Sequence, residues 1–375
     1  MTSPPRRVAL VTNGLTRAGA ETQLMRLAST LRAHGDEVKL LSILATEAFG
    51  DELDELGIPT VELVLRPGMK AMSAIWAGSR VLRAWRPDVA ISFVYQANIL
   101  GRVAGRVAGV PVIVSSVRNE HFGGRHRELA MRVTDRLSSV TTTNSELAAQ
   151  SLVSRGIVPR HRLVVIPNGI DVAPFSSALS ERATTRARLE VAADSFVWLA
   201  AGRLEPQKDY STLLAALARC REARRPHQLL IAGQGRLRSE LERQAADLGL
   251  GDRVRFLGVR GDIPDLIGAC DAVVLSSRWE GLPNVVMEAM AGGRPVVSTR
   301  VGGAPELVED GVTGRLVPPG AAGPLAEAMT EVMTAPNSQR QTMGARGRAI
   351  VAERYSPVAV GDRWLQLLDA YRDPR

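Results

Sequence analysis

Cysteine is scarce in this chain. Two residues, Cys220 and Cys270, cannot build a disulfide framework, and no Cys-x-x-Cys pair offers a metal site. Both read as small buried apolar residues in a reducing, cytosolic setting. Aromatic residues make up only 4%, so the core must rest on Ala, Val, Leu and Ile. No apolar run reaches the roughly 18 residues of a membrane-spanning helix. The first such run, Val8–Thr12, stops at Asn13-Gly14; it is too short for the core of a signal peptide and reads as a strand. Lysine is nearly missing: Lys39, Lys70 and Lys208 are the three among 47 basic residues.

What is present is ordinary for an enzyme of two domains. The chain has 375 residues, 45% hydrophobic and 23% charged, and domains commonly hold about 150–200 residues. The net charge is +8, unevenly spread. Residues 64–136 carry twelve basic against four acidic residues, which accounts for all of it. Such a stretch implies an acidic partner, whether nucleic acid, an anionic membrane surface or a phosphorylated substrate, or else a solvated arginine-rich face. With no zinc ligand set, helix-turn-helix cue or aromatic–basic stacking module, nucleic acid is not expected.

Short apolar runs alternate with amphipathic segments. Val8–Thr12, Glu37–Ile43, Val89–Phe93, Val110–Ser115, Ser139–Thr143 and Leu163–Pro167 read as buried strands, with helices such as Glu21–His34 and Trp76–Trp85 between them. After Asn168-Gly169-Ile170-Asp171 and a polar stretch to about Ser195 the pattern restarts. Phe196–Gly202, Gln228–Ala232, Val254–Leu257, Ala272–Leu275, Pro295–Ser298 and Gly314–Val317 form a second set of strands. Helices fit at Ser211–Arg221, Arg236–Leu248, Val286–Gly292 and Gly323–Met333. Strand–helix alternation of this kind predicts parallel sheets covered on both faces. The expected organisation is two doubly wound α/β domains, 1–172 and 173–354, with a helix in 355–375 that packs back on a face of the N-terminal domain through Trp364, Leu365 and Leu368. Gly101, Gly105 and Gly109 recur every four residues, and with Arg102 and Arg106 between them they predict a helix packed closely on a sheet rather than a membrane pair.

The chemistry-bearing residues lie in loops that follow strands, where doubly wound sheets bind ligands. Glu280-Gly281-Leu282-Pro283-Asn284 leads into a helix carrying Glu288. Backbone N–H groups at that helix start suit an anion, and the two carboxylates suit hydroxyls. A ligand with both is a sugar nucleotide; solvated acids at a helix start are the plainer alternative. Arg203 and Lys208 share another such loop and would grip a diphosphate, the arginine as a fork and the lysine as a compact charge. Gly14 to Glu21 contains Gly19 but does not match the dinucleotide fingerprint. Gly302-Gly303-Ala304-Pro305-Glu306, Gly233-Gln234-Gly235 and Val259-Arg260-Gly261 are further loops of this type.

Taken together, Glu280-x7-Glu288, the Arg203 and Lys208 pair, Ile166-Pro-Asn-Gly-Ile-Asp171 and Gly302-Gly303-x-Pro-Glu306 resemble glycosyltransferase family four, most closely over residues 163–320. The resemblance implies the GT-B fold, two Rossmann-like domains facing across a cleft, the first taking the acceptor and the second a nucleotide-sugar. It implies that Arg203 and Lys208 bind the donor diphosphate, that Glu288 holds ribose hydroxyls, and that Glu280 contacts the transferred sugar beside the amides of Gly281, Leu282, Pro283 and Asn284. Gly233, Val259 and Arg260 would border the donor, with Val259 and Arg260 near the base, and Gly19 would meet phosphate and acceptor. Transfer would retain anomeric configuration without a metal or other cofactor, from a UDP-sugar by default, to a glycan or lipid-linked acceptor of the cell envelope. Many relatives carry a histidine near the reacting sugar; here the segment reads Arg118-Asn119-Glu120-His121, with His121 the nearest candidate and Arg118 and Glu120 its competitors. Tyr95 and Gln96 end another strand. A nucleotide-sugar 2-epimerase of similar frame is the alternative enzyme, and lacks the Glu-x7-Glu arrangement. The basic stretch 64–136 is the expected peripheral contact with an anionic membrane.

Overall fold

A computed structural model of the chain describes residues 4–16, 19–46, 48–63, 71–119, 121–220 and 226–371. Two compact units result: Met1–Gly169 together with Pro357–Arg375, and Ile170–Ser356.

The first unit is built on seven strands: β1 (Arg7–Thr12), β2 (Glu37–Ser42), β3 (Thr60–Glu62), β4 (Val89–Phe93), β5 (Val112–Val117), β6 (Val140–Thr143) and β7 (Leu163–Val165). Their order is β3-β2-β1-β4-β5-β6-β7, every pair parallel. The second has six: β8 (Phe196–Ala201), β9 (His227–Ala232), β10 (Val254–Gly258), β11 (Ala272–Leu275), β12 (Val296–Thr299) and β13 (Gly314–Val317). They run β10-β9-β8-β11-β12-β13, again all parallel. In each sheet the winding direction reverses once, between β1 and β4 and between β8 and β11, so each has a switch point of the kind that positions ligands.

The strands form because their runs are apolar on both sides. In β8, Val197 and Leu199 enter one core layer while Phe196, Trp198 and Ala200 enter the opposite one. In β1, Val8 and Leu10 face one layer, Ala9 and Val11 the other. With side chains alternating along each strand, a sheet covered on both faces needs this continuous apolarity. The glycine triplet sits in the helix Tyr95–Ala108 and its cap. A methyl at Gly101 would come within 2.9 Å of Ser92, and one at Gly105 within 3.0 Å of Ile113, so small residues there let the helix lie close on β4 and β5.

The helix Pro357–Ala370 belongs to the first unit. Val360, Trp364, Leu367 and Leu368 enter the same core layer as Leu24 and Leu31 of the helix Gly19–His34. Trp364 stacks on Phe93 at 6.0 Å, and Asp369 meets Arg6 at 2.9 Å. Arg6 is itself buried and paired with the fully buried Asp36 at 2.8 Å.

Three expectations need correcting. The polar stretch before Ser195, to which the sequence assigned no element, holds the helices Ala173–Ser180 and Arg182–Arg188. It reads as polar because Arg182 and Arg186 donate to the carbonyls of Gly268, Ala269, Cys270, Ala192 and Ser195 and pair with Asp271. The strand β3 escaped notice, being three residues long and largely exposed. The basic stretch 64–136 is also not one solvated face. Arg102 is fully buried, paired with Asp135 at 3.0 Å and hydrogen-bonded to Ser115 and Ser138 of the sheet's interior. Burial, against the Asp135 charge, pulls its guanidinium down to about 10. Arg118 is buried as well. Residues 64–70 and Glu120, parts of that reading, lie outside the described residues.

Candidate functional site

The second unit gathers most of the motif residues at the carboxyl ends of its strands. The loop after β8 runs from Gly202 to Asp209, and the loop after β11 from Ser276 to Pro283. They flank the switch point, and several bonds tie them: Arg278 N–H donates to the Gln207 carbonyl at 2.8 Å, Ser276 Oγ to the Lys208 carbonyl at 2.8 Å, and Gln207 Nε2 to the Trp279 carbonyl at 3.0 Å. Across this junction Lys208 Nζ donates to Glu280 Oε1 at 2.6 Å. Ser277 Oγ donates to the same oxygen at 2.6 Å and Gln207 Nε2 approaches Oε2 at 3.3 Å. Glu280 is thereby held buried in a single orientation.

An ammonium has three donors, and Lys208 uses one within the protein. Arg203, on the same loop, is exposed, and its guanidinium has no hydrogen bond or ion pair among the described residues. One cation anchored to a carboxylate and a second cation uncommitted give the loop a net positive end. Beneath it, Tyr210 donates to the Gly202 carbonyl at 3.1 Å; burial, helped by the Glu280 charge, pushes its phenol above the usual 10. Asp209, buried in a left-handed conformation at φ 48°, accepts from Thr212 and pairs with Arg278 at 3.1 Å.

The neighbouring loops are packed backbone to backbone. Gly233 follows β9 at φ +147°, and a methyl there would lie 2.0 Å from the Gly202 carbonyl oxygen. Gly302 follows β12 at φ +48°, and its methyl would lie 2.2 Å from the Glu280 carbonyl oxygen, while Gly303 N–H donates to Gly281 at 2.6 Å. Only glycine has both the backbone freedom and the missing Cβ these positions require. The helix Asn284–Ala291 opens on Pro283 with no side-chain cap, and half-buried Glu288 lies one turn inside it. Gly281, Leu282 and Pro283 are buried between the loops. Val259 is 72% exposed after β10, and the Arg260 guanidinium is forked onto Asp262 at 2.8 and 2.5 Å.

Arg203, Lys208, Gly233, Val259, Arg260, Glu280 to Asn284 and Glu288 therefore all stand on one rim of the second sheet. Sequence reading gave no role to Gln207 or Ser277, which orient Glu280. Gln207 was visible inside the quoted loop, but only the fold brings it to Glu280.

Gly19 and His121 belong to the first unit. Gly19 opens the helix Gly19–His34. His121 is exposed in the loop after β5, its N–H donating to the Asn119 side chain. Arg118 of that loop is buried; it donates to Asn168 at 3.0 Å and lies 4.5 Å over the Phe93 ring. Tyr95 sits against Phe122 at the head of the helix after β4. Among the described residues there is no cluster of three or more His, Cys, Asp or Glu placed to hold a metal, and no helix long and apolar enough to cross a membrane.

Two parallel-sheet Rossmann-like units, the second with a cation–carboxylate pair at its switch point, define a protein of the GT-B class. The chain belongs to glycosyltransferase family four and is a glycosyltransferase. Residues 181–350 match the family described as glycosyl transferases group 1, and residues 18–169 match the glycosyl transferase 4-like domain. An alpha-D-kanosaminyltransferase of Streptomyces kanamyceticus is 30% identical over 284 residues, 72% of each chain. The UDP-Gal:alpha-D-GlcNAc-diphosphoundecaprenol alpha-1,3-galactosyltransferase of Escherichia coli is 28% identical over 288 residues, 72% of this chain and 73% of that one. The crystal structure of Anabaena Alr3699/HepE in complex with UDP-glucose superposes with a TM-score of 0.85 at 27% identity, covering 97% of this chain and all of the other.

Proposed function

We propose that this glycosyltransferase moves a sugar from a UDP-sugar to a hydroxyl of a glycan or lipid-linked acceptor, with retention of anomeric configuration and without a metal or other cofactor. The observation that carries the reading is the Lys208–Glu280 contact at the switch point, with the uncommitted Arg203 beside it. Support comes from the relatives: one is a structure holding UDP-glucose, one acts on a diphosphoundecaprenol-linked sugar, and several are named for α-transfers. An α product from an α-linked donor is retention.

In this reading the acceptor oxygen bonds to the anomeric carbon on the face from which the diphosphate oxygen departs. The acceptor proton passes to the leaving phosphate. Lys208 and Arg203 offset the charge that grows on that diphosphate, the kind of preorganised stabilisation worth most in transfer reactions. Glu280 accepts from hydroxyls of the transferred sugar, Glu288 from the ribose, and Val259 and Arg260 lie beside the base. His121 remains the candidate for the reacting sugar from the first unit. The work is done in the cytoplasm, serving envelope polysaccharide assembly.

The test is a thermal-shift panel of UDP-, GDP- and TDP-sugars. A ligand at a hundredfold excess over Kd adds about 2.7 kcal/mol. The UDP-sugars are expected to stabilise most; equal or absent shifts across the panel reject the donor assignment.

Peripheral contact with an anionic membrane is part of the same reading. The helix Ala71–Trp85 exposes Met72 and Trp76, with Arg80 4.7 Å over the Trp76 ring. Apolar and basic groups side by side suit an anionic headgroup layer, at about 1 kcal/mol per basic residue. Equal sedimentation with neutral and anionic vesicles at low salt rejects this contact.

A further inference from the structure

Arg118 is the least compensated charge in the first unit. It directly follows β5, keeps 8% of its surface exposed, and meets no carboxylate among the described residues. Its guanidinium lies beside a stacked aromatic pair, 4.5 Å from the Phe93 ring centre and 5.9 Å from that of Trp364. Of its five donor hydrogens, one is used, on Asn168 at 3.0 Å. Its Nε is buried without a partner. Burial pulls the group down to about 9.

The neighbourhood repeats the pattern. Val117 pairs with Thr143 in the β5–β6 register, so Arg118 and Asn144 leave the sheet side by side. Asn144 Oδ1, on the same face of the sheet as Arg118, is also buried without a partner, as is Thr143 Oγ1 on the opposite face. Thr143 pairs on its other side with Val165 of β7, and Asn168 follows three residues later. Three of the five buried unpaired polar side-chain atoms of the described chain thus lie on two adjacent strand ends. An unpaired buried group costs about 1–3 kcal/mol, and more when charged. Stored at the carboxyl ends of a doubly wound sheet, such groups await a ligand rather than support the fold.

We infer that the shelf formed by Arg118, Asn144 and Asn168 receives an anionic sugar, a carboxylate or phosphate on a hydroxyl-bearing ring. The Arg118 Nε and Nη hydrogens are the counterpart of the anion; Asn144 Oδ1 is the counterpart of a ring hydroxyl. Resting on the proposed division in which the first unit takes the acceptor, this makes the acceptor an anionic sugar, and Arg118 the residue that selects it. Planar guanidinium forks favour carboxylate and phosphate, and contact with the Phe93 ring and the bond to Asn168 hold the fork in place.

The test uses the full chain with saturating UDP and titrates α-D-glucose 1-phosphate, D-glucuronate and uncharged D-glucose, read by melting temperature. At least one anionic sugar is expected to stabilise the protein, and glucose to leave it unchanged; which of the two acts tells phosphate from carboxylate. Arg118→Gln and Arg118→Met should weaken that response by about ten- to a hundredfold. Arg118→Met should also melt at or above wild type, since it replaces an uncompensated buried charge with apolar volume. The inference is overturned if neither anionic sugar acts, if charged and neutral sugars act alike, if Arg118→Met keeps the response, or if that variant melts well below wild type, which would mark Arg118 as packing. UDP is titrated separately: failure of UDP to bind rejects the donor site, while an Arg118-dependent response to a charged sugar without UDP still upholds the shelf.

Discussion

Lys208 Nζ lies 2.6 Å from Glu280 Oε1, although 72 residues of chain separate them. The contact closes the switch point of the second sheet and leaves Lys208 with two donors for a diphosphate. On the proposed reading Lys208→Met removes both a diphosphate ligand and the cation that compensates a buried carboxylate. Expected losses are about 1–3 kcal/mol of stability and a fall in kcat of about a hundredfold or more. Glu280→Gln keeps the shape and removes the charge, so it should fold at near wild-type stability and still lose activity. Urea unfolding alongside initial rates distinguishes the two; a Lys208→Met enzyme of unchanged rate would remove Lys208 from the chemistry.

Arg203 gives the opposite signature. Exposed and unbonded among the described residues, it contributes little to the fold. Arg203→Gln should change stability by no more than about 0.5 kcal/mol. UDP affinity should drop about ten- to a hundredfold, the range for hydrogen bonds to charged groups. Calorimetric titration of UDP into the variant measures this, and unaltered affinity would place the donor elsewhere.

The loops of the second unit are fixed by contacts too close for any side chain. Gly302→Ala must place a methyl 2.2 Å from the Glu280 carbonyl oxygen in a left-handed backbone. Overpacking of this kind costs about 1–3 kcal/mol, and the upper end is expected here. Because the displaced atom belongs to Glu280, UDP-sugar turnover should fall more than stability does. Gly311→Ala is the control: also at positive φ, but with nothing within 4 Å of the added methyl. If Gly302→Ala and Gly311→Ala melt and turn over alike, the close approach has no consequence.

In the first unit, burial alone would push the Asp36 carboxyl up. The hydrogen bonds and charge of Arg6, with His34 adding to them, overcome this and hold it below the usual 3.8. A folded value below the unfolded one stabilises the protein above the ordinary carboxyl range, and that contribution is lost as pH falls through the depressed value. Asp36→Asn should lower stability near neutrality by about 3 kcal/mol, since Arg6 keeps only the half-exposed Asp369. Its stability should also decline less steeply than wild type as pH drops below about 4. Parallel wild-type and variant curves of unfolding free energy against pH would contradict this account.

The fold was legible where burial is continuous. β8 and β11 are uninterrupted apolar runs, and β1 and β4 nearly so, because both faces are covered, and their spacing with helices set the parallel winding. β3 was not legible, since three half-solvated residues at a sheet edge carry no pattern. The loop chemistry was legible because Gly, Lys and Glu cluster after strands. What sequence could not reveal was the state of its arginines. Arg102 is a core residue because Ser115, Ser138 and Asp135 surround it, and Arg118 because Phe93 and Trp364 lie beside it. These partners lie 13 to 246 residues away in the chain, so local composition reported only two more positive charges.

The helix Pro357–Ala370 has a bearing on biosynthesis. Phe93 gains its stacking partner, and Arg6 its second carboxylate, only when Trp364 and Asp369 have been translated. By then every residue of Ile170–Ser356 has been joined to the chain, with its sheet contained in one continuous segment. The unit whose sequence begins first is therefore the last to receive all its residues, and a chain ending at residue 356 holds every residue of the second unit but an incomplete first one.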